Sequence, residues 1–259
     1  MTHFTRALRR LSHGNPPQAN APEQGLTLME CIVAIAVIAV TGAVIAPPLL
    51  LATATRLQNQ RAEQALQIAQ GEVDRIQTLV NRGAHKAGIL PAVAGLAANE
   101  SLSDQDAPGS SSGILKSINP TATCSGTAYT GQQIAANKAL EVDLNGDCRT
   151  DFIVQAFRWG DEYSAAETAI PTAADRRPSE FELMVRVYAA SAAGNFGNLG
   201  TAPASLQFTS GEGNQRERPL AVLSTRITWS DRDDSLLCYH SSSNCTPTPP
   251  APPPTPPTP

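Results

Sequence analysis

From Cys31 to Ala54 the chain carries no charged residue. A bilayer core about 30 Å thick takes roughly 20 apolar helical residues to cross. This run is therefore long enough to span one. Glu30, at its start, does not suit lipid. A carboxylate inside an apolar helix costs about 3 kcal/mol on insertion scales, so it calls for a partner. Cleavage of the chain after Gly25 would create that partner. Leu26 would then carry a new amino-terminal amine one helical turn from Glu30. The amine is either the chain's own or that of a neighbouring copy.

Gly25 before the cut, apolar Leu26 after it, Thr27-Leu28 next and Glu30 as the fifth mature residue form a pattern. Pro47 falls at the twenty-second mature position. In these residues the chain resembles the type IV prepilins, a family that includes the pseudopilins of type II secretion. The resemblance covers residues 20 to 82. It implies a prepilin peptidase that cuts between Gly25 and Leu26 and methylates the Leu26 amine. It also implies that Glu30 neutralises the amine of an adjacent subunit during filament assembly, and that Pro47 marks a helix kink. One departure is Leu26 itself, where Phe or Met is more usual in the family.

Residues 1–25 read as the leader. Arg6, Arg9 and Arg10 precede the apolar run, opposed only by Glu23. Positive charge beside a first membrane helix keeps that end in the cytoplasm. The expectation is a single-pass protein of the inner membrane with its head outside the cytoplasm. An uncleaved signal anchor is the competing reading, but an anchor has no need of Glu30.

The helical period continues past the apolar run, so one helix is expected over 26–82, with 26–54 in the membrane or a filament core. Ala62, Ala65, Leu66, Ala69, Val73, Ile76 and Val80 form an apolar stripe, and Arg61, Glu63, Gln64, Gln67, Glu72, Asp74 and Arg75 occupy other faces. Gly83 is the expected stop. Pro47 and Pro48 remove two backbone donors, so a kink or local melting is expected there. Cys31 reads as a small apolar residue.

Residues 83–137 are rich in Ala, Gly, Ser, Pro and Asp without sustained periodicity, and read as an exposed connector. Residues 138–245 read as the head. Four runs, 140–144, 152–159, 181–188 and 220–229, have strand character. Phe181, Leu183, Val185 and Val187 alternate with Glu182, Met184, Arg186 and Tyr188, which implies one buried and one wetter face. The expected fold is α+β and pilin-like, a long helix packed on a small antiparallel sheet. Residues 246–259 are a proline-rich tail that permits only extended or disordered chain.

Between the first two runs, Asp143, Asn145, Asp147 and Asp151 fall at alternating oxygen-donor positions, with the Arg149 carbonyl between the last two. Such a loop suits Ca²⁺. Cys148 stands where an EF-hand-type loop has Gly, and Val154 where it has a bidentate Glu. A polar hairpin turn is the competing reading. Four cysteines lie beyond the membrane segment, an even number in an exported region. Local pairing, Cys124–Cys148 and Cys238–Cys245, is the expectation among three connectivities.

Net charge is −4, so there is no basic footprint for nucleic acid. No phosphate loop, nucleophile elbow or metalloprotease motif is present. His3, His13, His85 and His240 are scattered. A structural subunit is expected, not an enzyme. The resemblance implies a minor pilin or pseudopilin whose partners are prepilin peptidase, other pilins or pseudopilins, the membrane and an inner-membrane assembly platform. Residues 45–61 look like the cyanobacterial pseudopilins of hormogonium polysaccharide secretion, which would imply polysaccharide export and gliding motility. A minor pseudopilin of general type II protein secretion and a signal-anchored, calcium-dependent surface binding module are the alternatives.

Overall fold

The computed structural model of the 259-residue chain describes residues 27–97, 100–119, 124, 127–205 and 211–229. The leader with Gly25 and Leu26, the Cys238–Cys245 pair and the proline-rich tail lie outside the described residues. The chain divides into two units, one ending at Leu49 and the other beginning at Leu50.

Helix α1 (Leu28–Asn81) contributes to both units. In the first unit every helical residue is exposed. Pro47 and Pro48 sit inside the helix. They leave the Ala43 and Val44 carbonyls without their usual donors, yet the helix runs unbroken through them, with no local melting. Thr41 Oγ1 bonds the Val37 carbonyl at 2.9 Å and Thr55 Oγ1 the Leu51 carbonyl at 2.9 Å. Both hydroxyls are thereby satisfied without water.

In the second unit α1 buries Ala65, Ala69, Val73, Ile76 and Val80, as the stripe predicts. Glu72, expected among the solvent-facing residues, is buried as well. Its carboxylate is held by Arg75 at 2.6 Å and Lys116 at 3.5 Å. Leu66, expected on the stripe, is exposed. The helix stops where Gly83 turns left-handed, at φ 64°. Gly83 N–H bonds the Val80 carbonyl and Ala84 N–H the Leu79 carbonyl, both at 2.9 Å. This is a Schellman stop, and it satisfies carbonyls the helix end would otherwise orphan.

Among the described residues the sheet has six strands: β1 (Ser110–Ser117), β2 (Thr127–Ala128), β3 (Lys138–Asp143), β4 (Phe152–Glu162), β5 (Glu180–Ala189) and β6 (Ala221–Thr228). Their order is β2-β1-β3-β4-β5-β6. The four expected strands are β3 to β6, and they pair antiparallel. The sheet is nevertheless mixed, because β1 runs parallel to both β2 and β3. Both extra strands come from the supposed connector. The register of β1 shifts between Ser111 and Leu115, around Gly113 at φ 69°. Such a bulge breaks the period of two that a sequence reading depends on.

Two faces of the sheet are buried, where one was expected. Leu140, Val142, Phe152, Val154, Phe181, Leu183, Val185 and Val187 pack with the α1 stripe. On the opposite face Phe157 and Met184 pack with Ala94 and Leu102 of the connector, and Ile153 and Tyr188 with Ala139 and Ala192. Arg186 is on this second face and only 1% exposed. Its guanidinium donates to the carbonyls of Gln105 at 2.7 Å and Ser103 at 3.1 Å and lies 5.0 Å from the Phe157 ring centroid. Gln155 Nε2 adds the Asp106 and Ala136 carbonyls at 2.8 and 2.7 Å. Irregular backbone buried on a sheet must find partners outside the ladder, and these two side chains supply them.

Candidate functional site

Two places concentrate the residues that the sequence singles out. The first is the start of α1. Thr27 precedes the helix, and its Oγ1 accepts the Glu30 N–H at 3.3 Å. Thr27 is thus the N-cap and Glu30 occupies the third helical position. The signal for this was legible: Thr-x-x-Glu ahead of an apolar run is the capping-box pattern. Glu30 lies in the first turn, where the helix dipole favours a carboxylate. Its side chain has no ion pair among the described residues. The apolar turns that follow, to Thr53, are all exposed. This one helix, near the N-terminus, is long and apolar enough to cross a membrane.

The second place is the turn between β3 and β4. Asp143 is fully buried. Its Oδ1 accepts the Gly146 N–H at 2.7 Å and its Oδ2 the Cys148 N–H at 3.1 Å. Asn145 Oδ1 accepts from Asp147 N–H and Asp147 Oδ1 from Arg149 N–H, both at 2.9 Å. Asp151 Oδ2 accepts the Leu144 N–H at 2.8 Å. The side-chain oxygens proposed as calcium donors therefore each serve a backbone amide of the loop. The Asp143, Asp147 and Asp151 carboxylates do not gather into one cluster among the described residues. As folded, the donor set makes a polar hairpin turn whose side-chain oxygens accept from the loop's own amides.

Burial alone would raise the Asp143 pKa. The hydrogen bonds from the Gly146, Cys148 and Asn145 amides and the Ser117 hydroxyl together outweigh it and hold the carboxyl below its ordinary value. Gly146 is required here, at φ 82°, because a Cβ would approach Asn119 Nδ2 to 2.7 Å. Cys148 is the one non-glycine described residue at positive φ, 64°. It therefore adopts the left-handed conformation for which a glycine would have been expected. Cys148 is bonded to Cys124, with the two Cα atoms 5.3 Å apart. The expected local pairing holds for this bridge, which staples the segment between β1 and β2 to the β3–β4 turn.

No family model, no curated protein and no solved structure matches the chain.

Proposed function

We propose that this chain is a minor pilin or pseudopilin, a structural subunit of a type IV pilus-like or type II secretion-like assembly. The observation that carries this reading is the pairing of two features on one helix. Its first half is apolar and exposed throughout, with a lone carboxylate in the opening turn. Its second half buries a stripe against a sheet. A helix exposed in this way needs lipid or other subunits as its solvent.

Prepilin peptidase cuts between Gly25 and Leu26, and the Leu26 amine is methylated. Glu30 then pairs with the amine of a neighbouring subunit and sets the helix register. The mature chain sits in the inner membrane with the head outside the cytoplasm and is drawn into a filament by the assembly platform. Polysaccharide export and gliding motility are the role we assign it.

Mass spectrometry of the chain from native membranes tests the reading. We expect an N-terminus at Leu26 with a methylated amine. A chain still beginning at Met1 overturns it. Glu30→Gln should leave insertion and cleavage intact and abolish incorporation into filaments, scored by sedimentation of sheared assemblies. Loss of the chain should stop gliding and surface polysaccharide release. A defect confined to exported proteins would instead assign it to general type II secretion.

A further inference from the structure

The β3–β4 turn brings two sulfurs and a carboxylate together. Cys124 Sγ, Cys148 Sγ and a carboxylate oxygen of Asp143 all lie within 4.8 Å of one another. Cys124 Sγ is 3.9 Å from Asp143 Oδ2. Tetrahedral zinc with thiolate and carboxylate ligands holds its donor atoms about 3.5–3.8 Å apart, as its bond lengths of roughly 2.3 and 2.0 Å require. The Cys124 Sγ to Asp143 Oδ2 spacing is already close to that, whereas the two sulfurs, bonded to each other, must move apart. Asp143 is also oriented in advance, because the Gly146 and Cys148 amides fix its two oxygens. Hydrogen bonds of this kind hold a metal ligand in place from behind. Cys148 is exposed and Cys124 half-buried, so small thiols and cations reach the sulfurs from solvent. Paired thiolates select soft or borderline metals over calcium.

We propose that reduction of the Cys124–Cys148 disulfide converts this turn into a zinc site, with both thiolates and Asp143 as ligands and water in the fourth position. A dithiol breaks the S–S bond. Two electrons and two protons pass to the sulfurs, and the dithiol leaves as its cyclic disulfide. Zinc then displaces the two thiol protons. The disulfide and the metal are mutually exclusive occupants of the same sulfurs, so the oxidised chain is closed to zinc and the reduced chain open to it. Because the carboxylate is already positioned, opening requires only that the sulfurs separate.

The test uses the full-length chain in detergent carrying Cys31→Ser, Cys238→Ser and Cys245→Ser, so that only this pair can respond. It is reduced with dithiothreitol, freed of reductant without air, and titrated with Co²⁺ and then Zn²⁺. One equivalent of Co²⁺ should give thiolate-to-metal charge transfer and tetrahedral visible bands, which Zn²⁺ removes. The oxidised chain should give neither. Cys124→Ser and Cys148→Ser should abolish the bands, and Asp143→Asn should weaken zinc at least tenfold. X-ray absorption of the zinc-loaded chain should count two sulfur neighbours, a readout that does not depend on how the Asp143 variant folds. No charge transfer after reduction, the same signal in the oxidised chain, zinc affinity unchanged by Asp143→Asn in a folded chain, or a sulfur count other than two overturns the proposal.

Discussion

His85 is completely buried and closes the second unit just beyond the helix stop. Its Nε2–H donates to the Pro178 carbonyl at 3.1 Å, and its ring packs edge-on to Trp229 at 4.7 Å. Burial, and then the Arg177 guanidinium, push its pKa down from 6.5 to about 4, while the Pro178 carbonyl and Glu167 pull the other way. The unfolded chain therefore takes up a proton that the folded chain refuses. Stability is undiminished above pH 6.5 and falls as the pH drops from there to about 4. The loss totals roughly 3 kcal/mol. Urea unfolding across this range should record that fall, and His85→Asn should flatten it. Arg186 is the second decisive residue. Its replacement by Met keeps much of the volume but leaves the buried Leu102 carbonyl and the part-buried Ser103 and Gln105 carbonyls without their donor, a buried orphan costing about 1–3 kcal/mol. We expect Arg186→Met to destabilise by about 3 kcal/mol in denaturant titration and to expose residues 100–109 to proteolysis.

At the scale of elements, α1 is set by two kinds of solvent. Its first half is apolar on all sides and its second half on one stripe. The stop at Gly83 is a backbone requirement. A Cβ there meets nothing closer than 3.7 Å, but φ is 64°. Gly83→Ala should therefore cost about 1–2 kcal/mol from left-handed strain alone, visible as a lowered Cm with unchanged m. The strands β3 to β6 were legible because each is long and pairs with its sequence neighbour. Strand β1 was not. Its Ser-Ser-Ser-Gly-Ile-Leu-Lys-Ser carries a bulge in place of a clean alternation. Its strand state rests on parallel partners in β2 and β3, distant in the chain, and no local pattern records such partners.

Over the whole molecule, the Cys124–Cys148 bridge closes a loop with a sequence separation of 24. It is worth about 3 kcal/mol by chain entropy. Cys124→Ala with Cys148→Ala should lower unfolding stability by that amount and leave the apolar helix in place, measured by urea unfolding in detergent. The sequence by itself determined the apolar helix, its amphipathic continuation, the Gly83 stop and four of the six strands. Each of these follows from periodicity or from a single residue's backbone freedom, which are local properties. The tertiary structure alone decided that the connector is part of the core. Met184, Arg186 and Tyr188 read as a wetter face because two of them carry polar ends. Whether such side chains meet water or the carbonyls of a distant loop depends on what the chain folds over them. The same holds for Glu72 of α1, whose carboxylate meets Lys116 of β1. It holds for the β3–β4 turn too, whose side-chain oxygens reach the loop's own amides because of how the backbone bends at Gly146 and Cys148.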